Sequence, residues 1–516
     1  MSKLKLFFTS LIFISLFSCK DKIEADILIR NGTVYNGVDT VPTNNTIAIK
    51  DDIIVYIGNE GDVNISADRN IDATGLIVCP GFIDPHTHAD RDLVDPKKSH
   101  NKPFLMQGVT TVTVGNDGSS FFPIQKYSDL YKKNGIGTNV VMLTGHGTIR
   151  EQIIGKSNKK ATEADLAKMK ELIQKEMDAG SFGISTGLYY APGSYSDTEE
   201  VIALAKTAAQ NDGIYDTHLR DESSFSVGII AAVEEAIEIG RQAKLPIHIS
   251  HIKCLGVDVW NKSNEIIKLI EKGKAEGIDI TANHYPYDAS STSLKAAVVP
   301  RWAESGGIDS LFTRYEDPKL KSRILIETKN NIKRRGGADK LLIVKAGDSL
   351  FVGKYLNEIS KSMNVLPEEA VFEILEKGYT KVASFNMNTG DIKNFMVQPW
   401  VVTGSDGNIG HPRKYGTFTR KYNKYVLENK LIDLATFING STSKTAEILK
   451  IPNRSKLKEG YYADIVVFNP KTFKDKADYM NAFQFSEGLE YSIINGKLSV
   501  ENGKYTEKLN GKILTK

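Results

Sequence analysis

The chain has 516 residues, of which 41% are apolar and 25% are charged, and its formal net charge is +3. These values are ordinary for a globular protein and give no argument for a nucleic acid or an acidic partner. The length predicts two to four domains, or one large barrel with a smaller satellite.

The N-terminus, MSKLKLFFTSLIFISLFSC, differs from the rest of the chain. Its apolar run is shorter than the roughly 20 residues that span a bilayer as a helix, so we interpret 1–18 as a secretory signal segment. The last four residues, LFSC, resemble a bacterial lipobox, and we expect Cys19 to be lipidated; a plain signal peptide cut elsewhere is the alternative. The protein is then expected in the cell envelope, periplasmic or at the surface, touching a membrane only through that anchor.

Both ends of the mature chain are rich in short β signals. ADILIRNGTVYNG and ADIVVFNP carry apolar runs that stop at Asn-Gly or Asn-Pro. We expect 25–79 and 450–516 to form one small β-sandwich domain, because chain ends often lie close together.

The middle of the chain, 80–449, alternates strands and helices. Thr162 with Asp165 predicts a capped helix that ends at Gly180, and Ser196 with Glu199 predicts the start of a second one. Two further helices are predicted at about 227–242 and 261–276, each followed by an apolar run. This rhythm favours a (β/α)8 barrel, with a doubly wound open sheet as the alternative.

The segment 289–344 breaks that rhythm, because it is long, basic and irregular. Long excursions from a compact domain are commonly lids or binding loops. We therefore predict a lid inserted over the active-site face.

Two histidines stand at the end of PGFIDPHTHAD. His86 and His88 are two residues apart, so their rings share one face of an extended strand and can bind one ion. Four more residues that can bind a metal follow later apolar runs: Asp117, His218, His251 and Asp406. In parallel barrels the active site forms at these carboxyl ends of the strands.

The other histidines are less informative. Because His248 and His251 are three apart, they face opposite sides of a regular strand, and His248 is assigned a structural role. His100 is expected in an exposed loop and His146 could line the pocket. The direction of His284 stays open.

A cluster of histidines and carboxylates favours zinc or a similar divalent ion, with one or two ions possible. Such an ion activates water and polarises a carbonyl, while a carboxylate moves the proton to a leaving nitrogen. Asp406 is the candidate for that acid/base role. The sequence thus points to hydrolysis of an amide-like bond.

The chain resembles the amidohydrolase superfamily, and within it the D-aminoacylases, or N-acyl-D-amino-acid deacylases. The matching stretches are GFIDPHTHAD, GVTTVTVGNDG, STGLYYAPGSYSDTEE, THLRDE, ISHIKCLG, YPYDAS, GSDGN, HPRKYGTFTR and GYYADIVVFNP. The resemblance implies a metal-dependent barrel of amidohydrolase type beside a small β-sandwich. It implies hydrolysis of N-acyl-D-amino acids, small substrates, to a D-amino acid and a carboxylate.

The resemblance also implies roles for individual residues. His86 and His88 would bind one ion, His218 and His251 the other and tighter one, and Asp406 would be the catalytic acid/base that also contacts metal. Lys253 and Arg413 would hold the substrate carboxylate. Further substrate contacts fall on one tyrosine of each of two pairs, Tyr189 or Tyr190 and Tyr285 or Tyr287, of which we select Tyr190 and Tyr285.

One position departs from the family. Its usual GNCG stretch, in which the cysteine binds metal, reads GNDG here, with Asp117 in place of the cysteine. An oxygen donor is harder than a thiolate, which leaves the identity and number of the metal ions open.

Two alternatives remain. One is an amidohydrolase acting on a cyclic amide or another N-substituted amino acid, as hydantoinase or dihydroorotase relatives do. Those usually carry a bridging lysine after the fourth strand, and SFGISTGLYY has none. The other is a non-catalytic surface lipoprotein. The oligomeric state is not predicted.

Overall fold

The structure is a computed structural model that describes residues 22–516. The predicted signal segment 1–18 and the predicted lipidation site Cys19 lie outside the described residues. Within 22–516, every helix is too short or too polar to cross a membrane.

Strands are spread over the whole described chain. In chain order they are β1 (Lys22–Arg30), β2 (Thr33–Val34), β3 (Thr46–Lys50), β4 (Ile53–Gly58), β5 (Asn64–Asp72), β6 (Ile77–Pro80), β7 (Phe82–Asp84), β8 (Val109–Val114), β9 (Asn139–Met142), β10 (Thr144–Gly145), β11 (Gly183–Gly187), β12 (Ile214–His218), β13 (Ile247–Ile249), β14 (Ile280–His284), β15 (Ala289–Ser293), β16 (Leu341–Lys345), β17 (Lys381–Phe385), β18 (Val401–Thr403), β19 (Ile465–Phe468), β20 (Leu489–Ile494), β21 (Lys497–Glu501) and β22 (Lys504–Tyr505).

Within residues 22–516, the α-helices lie between β7 and β19. They are α1 (Asp90–Val94), α2 (Lys102–Leu105), α3 (Ile124–Asn134), α4 (His146–Ile154), α5 (Glu163–Asp178), α6 (Thr198–Gln210), α7 (Ile229–Ala243), α8 (Ser263–Ala275), α9 (Leu294–Val298), α10 (Ile308–Glu316), α11 (Pro318–Arg334), α12 (Leu356–Met363), α13 (Pro367–Glu376), α14 (Thr389–Met396), α15 (Arg413–Arg420), α16 (Leu434–Ser441) and α17 (Ser443–Ile448). A π-helix, Lys421–Glu428, continues α15.

Two parallel sheets form the centre of the α/β fold. One has the order β7-β8-β9 and the other the order β10-β11-β12-β13-β14-β18. All six residues of β8, VTTVTV, are buried, as expected of a parallel strand that is covered on both faces. Helices α5 to α8 pack against the larger sheet around a core of Ile, Val, Leu and Ala.

Backbone hydrogen bonds connect these two sheets at both edges. After β7 and β18, the Asp406 amide donates to the His86 carbonyl (2.9 Å), and the His88 amide donates to the Gly407 carbonyl (3.2 Å). On the other side, the Phe182 amide donates to the Met142 carbonyl of β9 (2.9 Å). The carboxyl ends of β7 and β18 are therefore neighbours, although they are far apart in sequence.

The two chain ends share one sheet, with the order β2-β6-β19-β20-β21-β22. β6 pairs antiparallel with β19, so Cys79 lies opposite Val466. A second sheet, β4-β3-β1-β5, packs on this one through a cluster that contains Ile47, Ile71 and Ile493. Alternating apolar residues on these strands form the interface.

The segment 289–344 is more regular than we predicted. It contains β15, the helices α9 to α11 and most of β16, and it continues through α12 and α13 to β17. β17 pairs antiparallel with both β15 and β16, and the helices cover this sheet with their own buried core. The prediction of an irregular segment was wrong because strands that pair across about 90 residues leave no local signal.

One predicted helix cap agrees with the structure, and another differs from it by one residue. The Thr162 side chain accepts a hydrogen bond from the Asp165 amide, and the Asp165 carboxylate accepts one from the Thr162 amide, which confirms the predicted capping box. The next helix is capped by Asp197, whose carboxylate accepts from the Glu200 amide. Ser196 was the wrong choice; its hydroxyl donates to the Gly193 carbonyl instead.

A buried lysine lies below the carboxyl end of β18. The Lys421 ammonium donates to the Thr403 hydroxyl (3.0 Å), and the side chain has no carboxylate partner within residues 22–516. Burial lowers the pKa of Lys421 from 10.5 to about 7. The unfolded chain therefore takes up a proton as the pH falls below 10.5, whereas the folded chain takes it up only near pH 7, so stability declines across that window.

We expect Lys421→Met to stabilise the protein at pH 7 by roughly 2–5 kcal/mol, because methionine fills the same space without a charge to desolvate. The gain should shrink as the pH rises and vanish near pH 10.5, where lysine is neutral in both states. Urea unfolding of both proteins at several pH values measures the difference. Lys424→Met on the same π-helix is the control, and a gain that does not change with pH would contradict the assignment.

Candidate metal centre and substrate pocket

The carboxyl ends of five parallel strands bring together the six predicted metal ligands. His86 and His88 follow β7, Asp117 follows β8, His218 ends β12, His251 follows β13, and Asp406 follows β18. Their donor atoms form two groups, each within 4.8 Å: His86, His88, Asp117 and Asp406 in the first, and Asp117, His218 and His251 in the second.

Asp117 is the only member that both groups share. Its Oδ1 lies 3.3 Å from His86 Nε2 and its Oδ2 lies 3.4 Å from His88 Nε2. Oδ1 also lies 3.3 Å from His251 Nε2 and 3.6 Å from His218 Nδ1. One carboxylate thus contacts all four histidines, which is the position of a bridging ligand.

The second group is completed by the two histidine rings. His218 Nδ1 and His251 Nε2 are 2.9 Å apart, and both rings are buried. Two nitrogen donors this close, beside a carboxylate oxygen, can serve as ligands of one divalent ion.

Three of the six residues have left-handed backbones. The φ angles are +57° at Asp117, +35° at His251 and +46° at Asp406. This conformation costs energy for residues other than glycine, and it is found where a site needs a side chain aimed in one direction. The left-handed turn at His251 also corrects our argument about strand phase, since β13 ends at Ile249 and His251 lies beyond it.

Burial and neighbouring charges act in opposite directions on these groups. Burial lowers the pKa of His86 to about 4, and neither ring nitrogen makes a hydrogen bond. Burial also opposes the charge on His88, but hydrogen bonds with Asp117 and Asp406 outweigh it and raise the pKa to about 9. Burial also disfavours the charged form of Asp117, but the surrounding histidines outweigh it and hold the pKa of this carboxyl well below its ordinary value.

Asp406 is held by a cation on its outer side. Its Oδ1 lies 3.1 Å from His88 Nε2, and its Oδ2 accepts from Arg413 Nη2 at 2.7 Å. Although burial favours the neutral acid, Arg413 and the histidines lower the pKa of Asp406 strongly, so the carboxylate is ionised. Arg413 Nε and Nη1 are buried without a hydrogen-bond partner, which leaves two donors for a ligand.

The predicted second cation, Lys253, already has a carboxylate partner. Its ammonium donates to Glu222 Oε1 (2.5 Å), and the same oxygen lies 3.0 Å from His251 Nδ1. Glu222 therefore orients both His251, a candidate metal ligand, and Lys253, a candidate cation for binding the substrate carboxylate. The sequence analysis missed Glu222, although it belongs to the quoted THLRDE stretch.

A pocket of about 510 Å³ opens beside this cluster. Residues that line it are Tyr189, Tyr190, His218, Glu222, Ser223, Phe225, Lys253, Leu255, Ser290, Ser291, Thr292, Ala297, Asn331, Arg334, Arg335 and Asp406. Both tyrosines of the first predicted pair thus reach the pocket. Neither tyrosine of the second pair lines the pocket: Tyr285 packs on the Arg413 guanidinium (4.6 Å), and Tyr287 packs on Arg420 (4.8 Å).

The remaining predicted histidines lie outside both groups. His248 contacts Thr281 and Asn283, which agrees with a structural role. His146 lies 2.8 Å from Glu200 and does not line the pocket. His100 is only half-buried, and its ring accepts from the Lys102 amide. His284 is buried, and burial lowers its pKa to about 3.

The donor set fits one or two divalent ions. Four imidazoles and two carboxylates are the ligand types that zinc and similar ions take, and His86 has free ring nitrogens in a buried place. Unpaired buried polar atoms are otherwise rare and point to a missing partner.

Comparison with known proteins finds a matching family and a relative of similar length. A family model described as amidohydrolase family matches residues 69–500. The chain is 29% identical to the D-aminoacylase of Alcaligenes xylosoxydans xylosoxydans, over 97% of this chain and 99% of that protein.

Two solved structures are similar over almost their whole length. A D-aminoacylase structure that addresses the role of a binuclear metal center has a TM-score of 0.81 at 28% identity and covers 95% of this chain and 100% of its own. An N-acyl-D-glutamate deacylase from Bordetella bronchiseptica, complexed with zinc and a phosphonate inhibitor, has a TM-score of 0.82 at 26% identity and covers 96% and 100%.

Proposed function

The chain belongs to the amidohydrolase family, and on that premise we propose that it hydrolyses N-acyl-D-amino acids to a D-amino acid and a carboxylate, using a bound divalent metal. The observation that carries the proposal is the shared cluster of four histidines and two carboxylates beside a pocket. The relatives of full length, D-aminoacylase and N-acyl-D-glutamate deacylase, support the same reaction.

We propose zinc as the metal, as one or two ions. His86 and His88 would hold one ion, His218 and His251 the other, and Asp117 would contact both. A bound ion would polarise the acyl carbonyl and make water at the site a stronger acid. The zinc in the Bordetella structure and the binuclear center in D-aminoacylase support this assignment.

In the proposed mechanism Asp406 moves the proton. Its carboxylate is ionised at neutral pH, so it can accept a proton from the attacking water at Oδ1, the oxygen that faces His88. The same group then donates that proton to the amide nitrogen, which leaves as an amine. Arg413, on Oδ2, fixes the rotamer of the carboxylate while this happens.

The substrate carboxylate is proposed to bind the unpaired donors of Arg413. A hydrogen bond from a charged guanidinium to a carboxylate is shorter and stronger than one between neutral groups. Lys253 adds a positive charge from the pocket wall, and Tyr190 contributes a hydroxyl. Tyr285 holds the guanidinium by stacking on it, a role we prefer to direct contact with substrate.

The finer architecture and the location are also proposals. We propose that the two parallel sheets close into one (β/α)8 barrel over 80–449, an arrangement that the backbone hydrogen bonds at both edges support. The two sheets from 25–79 and 450–516 would form the small β-sandwich domain. The signal segment and Cys19 support a periplasmic or surface lipoprotein.

The proposal is tested by a screen of N-acetyl- and N-succinyl-amino acids, in D and L forms, with the zinc-loaded full chain, reading the released amine. We expect hydrolysis of D substrates only. Hydantoin and dihydroorotate in the same screen test the cyclic-amide alternative. Hydrolysis of L forms alone would reject the proposal, and a protein that binds metal but releases no amine would support the non-catalytic lipoprotein.

A further inference from the structure

Two arginines of the inserted segment line the pocket. Arg334 ends α11 and Arg335 follows it, so both reach the pocket from the covering helices and not from the barrel strands. Only 4% of Arg335 is exposed to solvent. Within residues 22–516, neither arginine lies within ion-pair distance of a carboxylate.

All contacts of Arg335 are with neutral groups. Its Nε donates to the Ala297 carbonyl (2.8 Å), and Nη2 donates to the Tyr189 hydroxyl (3.3 Å). Nη1 donates to the Asn386 side-chain oxygen (3.2 Å) when that amide is oriented to satisfy both of its ends. These bonds fix the guanidinium in place but leave its charge uncompensated.

Three other buried or half-buried cations near the pocket have anionic partners. Arg413 is paired with Asp406 and Lys253 with Glu222. Arg301, which packs on the Tyr189 ring, is paired with Glu304. A buried lysine without a partner can lose its proton, but an arginine cannot. Because an unpaired charge is costly to bury, Arg335 calls for a ligand that brings the missing negative charge.

Arg335 lies one tyrosine away from the candidate metal centre. The Tyr189 hydroxyl accepts from Arg335, and the Tyr189 ring lies 5.6 Å from the His218 ring. A substrate bound with its amide at the metal centre can therefore reach Arg335 only with a group that extends past Tyr189. Arg334 stands beside it, stacked on Phe225 (5.4 Å) and bonded to Ser224 (3.2 Å).

We propose that Arg335, assisted by Arg334, forms a subsite for a second carboxylate, so that the preferred substrates are dianionic N-acyl-D-amino acids. This inference rests on the proposed function. The second carboxylate can lie on the amino-acid side chain, as in an N-acyl-D-glutamate or N-acyl-D-aspartate, or on a dicarboxylic acyl group such as succinyl. Both place one carboxylate on Arg413 and the other on the planar donors of Arg335.

The test compares acids with neutral compounds of the same shape. We expect kcat/KM at least about tenfold higher for N-acetyl-D-glutamate than for N-acetyl-D-glutamine, or for N-succinyl-D-alanine than for N-succinamoyl-D-alanine, since a hydrogen bond between two charged groups is stronger than one to a neutral amide. The pair that shows the preference locates the carboxylate. Equal rates within both pairs would overturn the proposal.

Variants decide whether Arg335 causes the preference. Arg335→Gln should remove it by lowering kcat/KM for the acid about tenfold or more while the neutral partner changes less than about threefold. Arg323→Gln removes a charge from the exposed side of the same helix and should change neither. Equal losses for acid and neutral substrates would show a structural role and overturn the proposal.

A second variant and a binding measurement keep the proposal testable if Arg335→Gln does not fold or if no compound is hydrolysed. If Arg335→Gln does not fold, Arg334→Gln should reduce the preference for the acid, and an unchanged preference would count against the subsite. If no compound of either pair is hydrolysed, the proposed function fails, but calorimetric binding of N-acetyl-D-glutamate and N-acetyl-D-glutamine to the zinc-loaded chain still compares the two. Tighter binding of the acid supports the subsite, and equal binding rejects it.

Discussion

Asp406→Asn is expected to lower kcat by roughly 10²–10⁴-fold, because asparagine cannot accept the proton of the attacking water or return it to the leaving nitrogen. Asparagine keeps the shape of the side chain and tolerates the left-handed backbone at this position. The fold and most of the metal content should therefore persist. Stopped assays with a D substrate, together with metal analysis, measure both quantities.

Asp288→Asn is the matched control for this variant. Asp288 is an exposed carboxylate that accepts a hydrogen bond from the Tyr479 hydroxyl and belongs to neither metal group. Its replacement should leave kcat unchanged. If Asp406→Asn keeps more than about a tenth of the activity of the unmodified protein, another group moves the proton and our assignment is wrong.

Asp117→Asn is expected to weaken metal binding at both positions together, by about 100-fold or more. The reason is geometric, since the same carboxylate contacts the histidines of both groups. Asparagine preserves the left-handed backbone and removes only the charge. Zinc titrations by calorimetry, with metal content after dialysis, test this; loss of a single ion with the other held normally would show that Asp117 is not shared.

Asp117→Cys provides the informative counterpart. The thiolate restores the ligand that the family resemblance implies, so zinc binding should recover. Because sulfur is a softer donor than oxygen, the preference for zinc over manganese should rise relative to the natural carboxylate. An unchanged metal preference would mean that the residue at 117 does not set the donor character of the site.

Most residues of the metal centre could be predicted from the sequence, but few of the residues that surround it could. His86, His88, Asp117, His218 and Asp406 could be predicted because each ends or follows an apolar run, and parallel strands place those ends at one face. His251 was also predicted to lie in this cluster. The left-handed backbone at His251, which directs its side chain into the cluster, could not be derived from strand phase.

Glu222 and Arg335 show why the rest could not be predicted. Glu222 acts through Lys253 and His251, which are 31 and 29 residues away, so its partners exist only after folding. Arg335 differs from surface arginines in being buried without a carboxylate partner, a property of packing and not of sequence. The inserted segment was misjudged for the same reason, since β17 joins strands that are distant along the chain.

The carboxylate at Asp117 has a chemical consequence beyond metal selectivity, since it stands where the family resemblance implies a thiol. A cysteine ligand can be converted to sulfenic or sulfinic acid by peroxide or be blocked by an alkylating reagent. The cysteines within residues 22–516 are Cys79 and Cys254, which are buried in apolar surroundings that raise their pKa values and keep them unreactive. A catalytic centre built only from nitrogen and oxygen ligands is suited to a compartment in which oxidants reach the protein freely.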